Sequence, residues 1–225
     1  MFASVLYLLL ISTIVLAERQ LSHSLPNCTL DLAPSDVNAE SAVSKLKASL
    51  NNTNSHVAKI QELFRKKYFE SYTDQEFTLL QRTLLKERVP NGLKLACPLK
   101  YQKTLSKKDF YLKSFNRMNR AAIMTGHVQA DERRMLKTST KVSETEMQNE
   151  FYRVRKSLQQ VMCSISDLII SQKGTLRESN TPKSLPWSSI PESRDPDRSY
   201  QQSLKYLTFV KKIVADELTL LSSIL

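Results

Sequence analysis

The chain has 225 residues, enough for one domain with a sizeable core. Only 3 Gly and 8 Pro leave little material for β-turns, which speaks against an all-β fold. A formal net charge of +11 suits an anionic environment without choosing between nucleic acid, heparan sulphate and a membrane surface.

The first 17 residues, MFASVLYLLLISTIVLA, form an apolar run followed at once by ERQ, with small Val15 and Ala17 where a signal peptidase cuts. Residues 1–17 therefore read as a signal peptide, and 18–225 as a secreted, extracellular domain. The run is short for an uncleaved membrane anchor, and no later segment is apolar enough for membrane insertion. Secretion gives meaning to two glycosylation acceptors, Asn27-Cys28-Thr29 and Asn51-Asn52-Thr53. It also bears on Cys28, Cys97 and Cys163, whose odd number suggests one bridge and one leftover thiol.

Four long helical patterns follow. Over 36–69, Val43, Leu46, Leu50, Val57, Ile60 and Phe64 recur at helical spacing, and Asn51 lies well off their stripe. Thr73 and Glu76 have the form of a capping box for a shorter helix over 74–88, stopped by Pro90-Asn91-Gly92. Ser106 and Asp109 open a second long helix over 106–125, with Tyr111, Phe115, Met118 and Ala122 on its buried side. Gly126 ends it there, or the pattern runs on to about Leu136. Ser143 to Glu146 open the third, over 143–173, which stops at Lys173-Gly174. Its apolar residues, among them Met147, Phe151, Val154, Leu158, Val161, Ile165 and Leu168, form one broad stripe. Cys163 falls about 160° from the centre of that stripe at helical pitch, so it points outward. Residues 174–198 hold four prolines and Trp187 and read as a long crossover loop. The last helix, 199–224, carries a wide apolar face of Leu204, Leu207, Val210, Val214, Leu218 and Leu221, suited to burial between neighbours. Long links before the second and last helices let paired helices run parallel. The expected fold is all-α: a long-chain four-helix bundle, up-up-down-down, with long crossover loops between helices A and B and between C and D.

Catalytic signatures are absent. His23, His56 and His127 lack metal-ligand spacing, and there is no HExxH, CxxC, GxSxG, P-loop or Rossmann glycine motif. Acid pairs such as Asp131/Glu132 and Glu144/Glu146 sit where helix starts and solvated faces place them. The expectation is a ligand with no cofactor, not an enzyme. Basic groups at 65–67, Lys107-Lys108, Arg133-Arg134 and Lys211-Lys212 are scattered over several helices. They read as solvated faces or as a heparan sulphate surface; no motif points to nucleic acid.

LPNCT, LNNTNSHVAKIQELF, RVRKSLQQVMCSISDLI and SYQQSLKYLTFVKKIVADELTLL resemble the leader and helices A, C and D of the interleukin-6 family of cytokines, most closely the branch of leukaemia inhibitory factor and oncostatin M. The resemblance implies a cytokine that assembles receptors and triggers JAK/STAT signalling. It implies a disulfide between Cys28 and Cys163, tying the leader to helix C. Cys97 matches the loop end of the family's second bridge, but Leu207 stands at the helix D partner position. Lys45, Ser49, Lys156 and Gln160 match outward positions that contact the shared receptor, glycoprotein 130. Tyr200 and Ser203 match the start of helix D, where the branch carries a Phe and a Lys for a second receptor like that of leukaemia inhibitory factor. The aromatic is kept in kind and the charge is lost. Two rival classes share the composition: a helical hormone of the growth hormone and prolactin type, and an amphipathic lipid-binding secreted protein.

Overall fold

The computed structural model describes residues 38–86, 105–135, 143–174 and 196–224. Over these the chain is all-α, five helices packed as a bundle. The expected signal peptide, Asn27, Cys28, Cys97 and Trp187 lie outside the described residues.

Helix α1, Ala39–Tyr68, begins where the Asn38 side chain accepts a hydrogen bond from the Ser41 N–H at 3.0 Å. Helix α2, Asp74–Lys86, begins on a complete capping box. Thr73 Oγ1 accepts from the Glu76 N–H at 3.3 Å, and Glu76 Oε2 accepts from the Thr73 N–H at 2.8 Å. Those bonds to Thr73 hold the Glu76 carboxyl below its ordinary value. At the start of α3, Lys107–Met135, Ser106 Oγ accepts from the Asp109 N–H at 3.1 Å. Of the two ends left open by the pattern, the later one is observed: the helix passes through Gly126 and continues to Met135. Val128, Gln129 and Glu132 extend the buried face of Ala121 and Thr125, so packing outweighs the lower helix propensity of glycine.

Helix α4, Ser143–Ser171, ends in a Schellman turn. The Lys173 N–H donates to the Ile170 carbonyl at 2.8 Å, and the Gly174 N–H to the Ile169 carbonyl at 2.9 Å. The left-handed position belongs to Lys173, at φ 55°, one residue earlier than the glycine. Gly174 serves a different need. A Cβ there would lie 2.8 Å from Ile169 Cγ2 and 3.1 Å from the Ile169 carbonyl oxygen. Helix α5, Pro196–Ile224, starts on a proline, whose fixed φ and missing N–H suit a first helical position.

The long helices pack in a ring. Helix α1 lies against α4 and α5, and α3 lies against the same two; the α1–α4 seam is the most extensive. Each contributes a fully buried phenylalanine, Phe64, Phe115, Phe151 or Phe209, worth roughly 1.5–3 kcal/mol apiece. Polar bonds cross every seam. His56 Nδ1 meets Glu150 at 2.8 Å and Lys59 meets Glu146 at 3.4 Å between α1 and α4. Gln61 donates to Thr208 at 3.3 Å between α1 and α5. Arg155 donates to Gln129 at 3.3 Å and Arg133 to Gln148 at 3.2 Å between α4 and α3. Buried Arg117 donates to Glu217 at 2.5 Å from Nη2 and 2.8 Å from Nε, binding α3 to α5. Helix α2 lies along α5 with Phe77 and Leu84 buried, and Ser203 through Val210 are buried on every side of α5.

Candidate functional site

Two regions gather the residues singled out by sequence. The first is the outward face of α4 beside α1. Lys156 and Gln160 are exposed on α4 and Lys45 is exposed on α1. Lys45 acts across this seam on Asp167 of α4: burial pushes that carboxyl up, and the charge of Lys45 draws it partly back. Ser49 does not belong to this surface. It is only 8% exposed, and its carbonyl accepts the Thr53 hydroxyl at 2.8 Å. It sits three residues after Leu46 and one before Leu50, on the edge of the stripe that α4 covers.

Cys163 is half-buried and disulfide-bonded. Three and seven residues after Gln160 and Lys156, it shares their outward strip. The same strip holds a residue the sequence reading passed over. Tyr152, four residues before Lys156, is 65% exposed. Its signal was there to find: on the wheel it falls opposite Val154 and Val161, an aromatic ring with no stripe to join.

The second region is the start of α5. Ser203 was expected beside Tyr200 on an accessible surface, and the structure corrects this. Ser203 is fully buried, and its hydroxyl finds no hydrogen-bond partner. Four residues before Leu207, it shares that residue's core-facing side. Tyr200 is half-buried and packs against the core. Its ring stacks on Tyr68 of α1, with centroids 3.7 Å apart and planes at 19°. The Tyr68 hydroxyl donates to Glu132 Oε2 of α3 at 2.9 Å, and Lys67 Nζ lies 3.4 Å from the same oxygen. Glu132 is fully buried, and its Oε1 has no partner. Burial pushes its carboxyl up; Lys67 and Tyr68 pull it partly back. Six residues further along α5 than Tyr200, Tyr206 accepts a hydrogen bond from Gln202, and burial pushes its phenol up to about 12.

Asn51 is exposed on α1, although Thr53 of the same acceptor sequence is buried. The basic run at 65–67 is engaged within the fold: Arg65 pairs with Asp74, Lys66 with Glu62 at 2.7 Å and Lys67 with Glu132 of α3. Lys212 likewise pairs with Asp216 at 3.0 Å. Among the described residues no three His, Cys, Asp or Glu side chains are grouped to hold a metal, and no helix is long and apolar enough to cross a membrane. Compared with protein-family models, curated proteins and solved structures, the chain has no match.

Proposed function

We propose that this chain is a secreted helical cytokine that brings cell-surface receptors of the glycoprotein 130 class together and so triggers JAK/STAT signalling. The observation that carries the reading is the direction of the seams. Contacts 56–150 and 59–146, 61–208 and 68–200, 129–155 and 133–148 each fall in number on one helix as they rise on the other. Helices α1 and α3 would then both run against α4 and α5, the up-up-down-down order. The disulfide on an outward cysteine supports the same reading, since a segment tethered there must lie outside the bundle. We assign the pairing to Cys28 and Cys163, leaving Cys97 out.

The surface for glycoprotein 130 is Lys45, Lys156 and Gln160, with Tyr152 added and Ser49 removed. An exposed tyrosine on a rigid helix loses little conformational entropy on binding and is a frequent anchor. Tyr200 remains the candidate for the second receptor through its accessible edge; Ser203 does not. The test is capture of the purified chain on immobilised ectodomains of glycoprotein 130 and the leukaemia inhibitory factor receptor. Saturable binding to glycoprotein 130, lost in Lys156→Glu, is the expected result. No binding to either, from a cooperatively folded sample, overturns the proposal. Folding that appears only with lipid vesicles would favour a lipid-binding protein instead.

A further inference from the structure

Helices α1 and α3 stand opposite each other across the ring, yet one bond network joins their C-terminal ends. Lys67 and Tyr68 of α1 converge on Glu132 of α3, and the Tyr68 ring is stacked on Tyr200 of α5. Three helices thus meet through one carboxyl group. That group is sealed from water, and half of it is left unsatisfied, with Oε1 lacking any donor. A buried acceptor in this state is a standing penalty, largest when the group is charged. The charge is relieved if the end of the bundle opens and water reaches Oε1.

We propose that Glu132 is a proton-operated latch on the first turns of α5. With the carboxyl neutral, the Tyr68–Tyr200 stack stays clamped against the bundle. With it ionised, this end opens more often and α5 loosens from about Tyr200 to Tyr206.

Among the described residues, the ionisable groups that act on this carboxyl are Lys67 and Tyr68 on α1 and Asp131 on α3; Tyr206 on α5 feels Asp131, and Arg155 on α4 feels Arg133. Of these, Lys67 favours the ionised carboxylate and Asp131 opposes it. The direction follows from linkage. The closed form holds the proton more tightly than a solvated carboxyl, so closure is favoured at low pH. It weakens as pH rises from the ordinary 4.5 through the raised value. The consequence for a second receptor rests on the reading that Tyr200 contacts it. The latch itself does not, and the experiment below needs no receptor, so either can fail without the other.

Hydrogen exchange on the full chain, corrected for the intrinsic pH dependence of amide exchange, reads the opening directly. Opening at residues 200–206 should rise at least about threefold between about pH 4 and pH 7. Amides around Arg117 and Glu217, at the opposite end, should show no such step. In Glu132→Gln the step should vanish. Lys67→Met should move it to higher pH, because that cation pulls the carboxyl down. A flat profile in the parent chain, a step that survives Glu132→Gln, or an equal step at both ends would overturn the latch. So would a Lys67→Met profile identical to the parent's.

Discussion

At Ser203 a hydroxyl is sealed inside the bundle with no acceptor, and this sets the sign of two substitutions. Ser203→Ala removes an unsatisfied group and should stabilise the chain by up to about 1 kcal/mol. Ser203→Lys would drive an ammonium into the core at a cost of about 3 kcal/mol or more. Denaturant titration of the two variants checks both. Tyr152 behaves in the opposite way. Its ring is largely in water, so Tyr152→Ala should change stability by less than about 0.5 kcal/mol. Under the proposed receptor reading, the same change should weaken glycoprotein 130 capture by at least about tenfold, read by surface plasmon resonance. The contrast shows which residues the sequence made legible. Outward Cys163 followed from periodicity alone, and the disulfide on it fits. Ser49 and Ser203 were placed outside by resemblance, against a wheel that puts each beside a core leucine. Glu132 reads as part of a solvated face and is instead fully buried, because its partner Tyr68 lies 64 residues away, beyond the reach of any local pattern.

Helix ends followed from local chemistry, and their exceptions came from tertiary contact. The boxes at Thr73 and Ser106 sit where the S/T-x-x-D/E spacing puts them. Gly126 leaves two ends open in sequence, because a glycine is a stop signal only when nothing beyond it has a face to bury. Beyond its chain neighbours and the backbone of its own helix, no heavy atom lies within 4 Å of where a Cβ would stand. Gly126→Ala should therefore raise stability by about 0.5–1 kcal/mol, seen as a higher Tm. At the end of α4 the left-handed residue is Lys173, so Lys173→Gly should also stabilise, by about 1 kcal/mol. Gly174→Ala should do the reverse, costing about 1–3 kcal/mol, because Ile169 is fully buried and cannot retreat. These three variants, compared by thermal unfolding, separate the two roles that a glycine near a helix end can have.

Among the described residues, the four long helices and their order are legible in sequence because each carries a stripe of period 3.6. The pairing of the stripes was not visible, since any apolar face can meet any other. Arg117 and Glu217 make one of the choices specific: their ion pair is buried and also holds Ser114 at 3.0 Å. Glu217→Ala should cost about 3–5 kcal/mol by stranding the guanidinium, whereas Arg117→Met with Glu217→Leu should come back close to the parent. A double-mutant cycle in urea measures the difference.

The ring also imposes an order of assembly. Helices α3 and α4 meet through residues only 15 and 19 apart in sequence, at Arg133–Gln148 and Gln129–Gln148. Helix α1 must wait for partners 94 residues away at Glu150 and 147 away at Thr208. Closing the short loop loses less entropy, so the α3–α4 hairpin is the natural nucleus. During synthesis, α1 therefore emerges first of the described helices and docks late, with Leu46, Leu50, Val57, Ile60 and Phe64 uncovered until α4 follows. The nascent chain thus carries a bare apolar flank from the completion of α1 at Tyr68 until α4 is complete at Ser171, and that flank is where a chaperone would hold it.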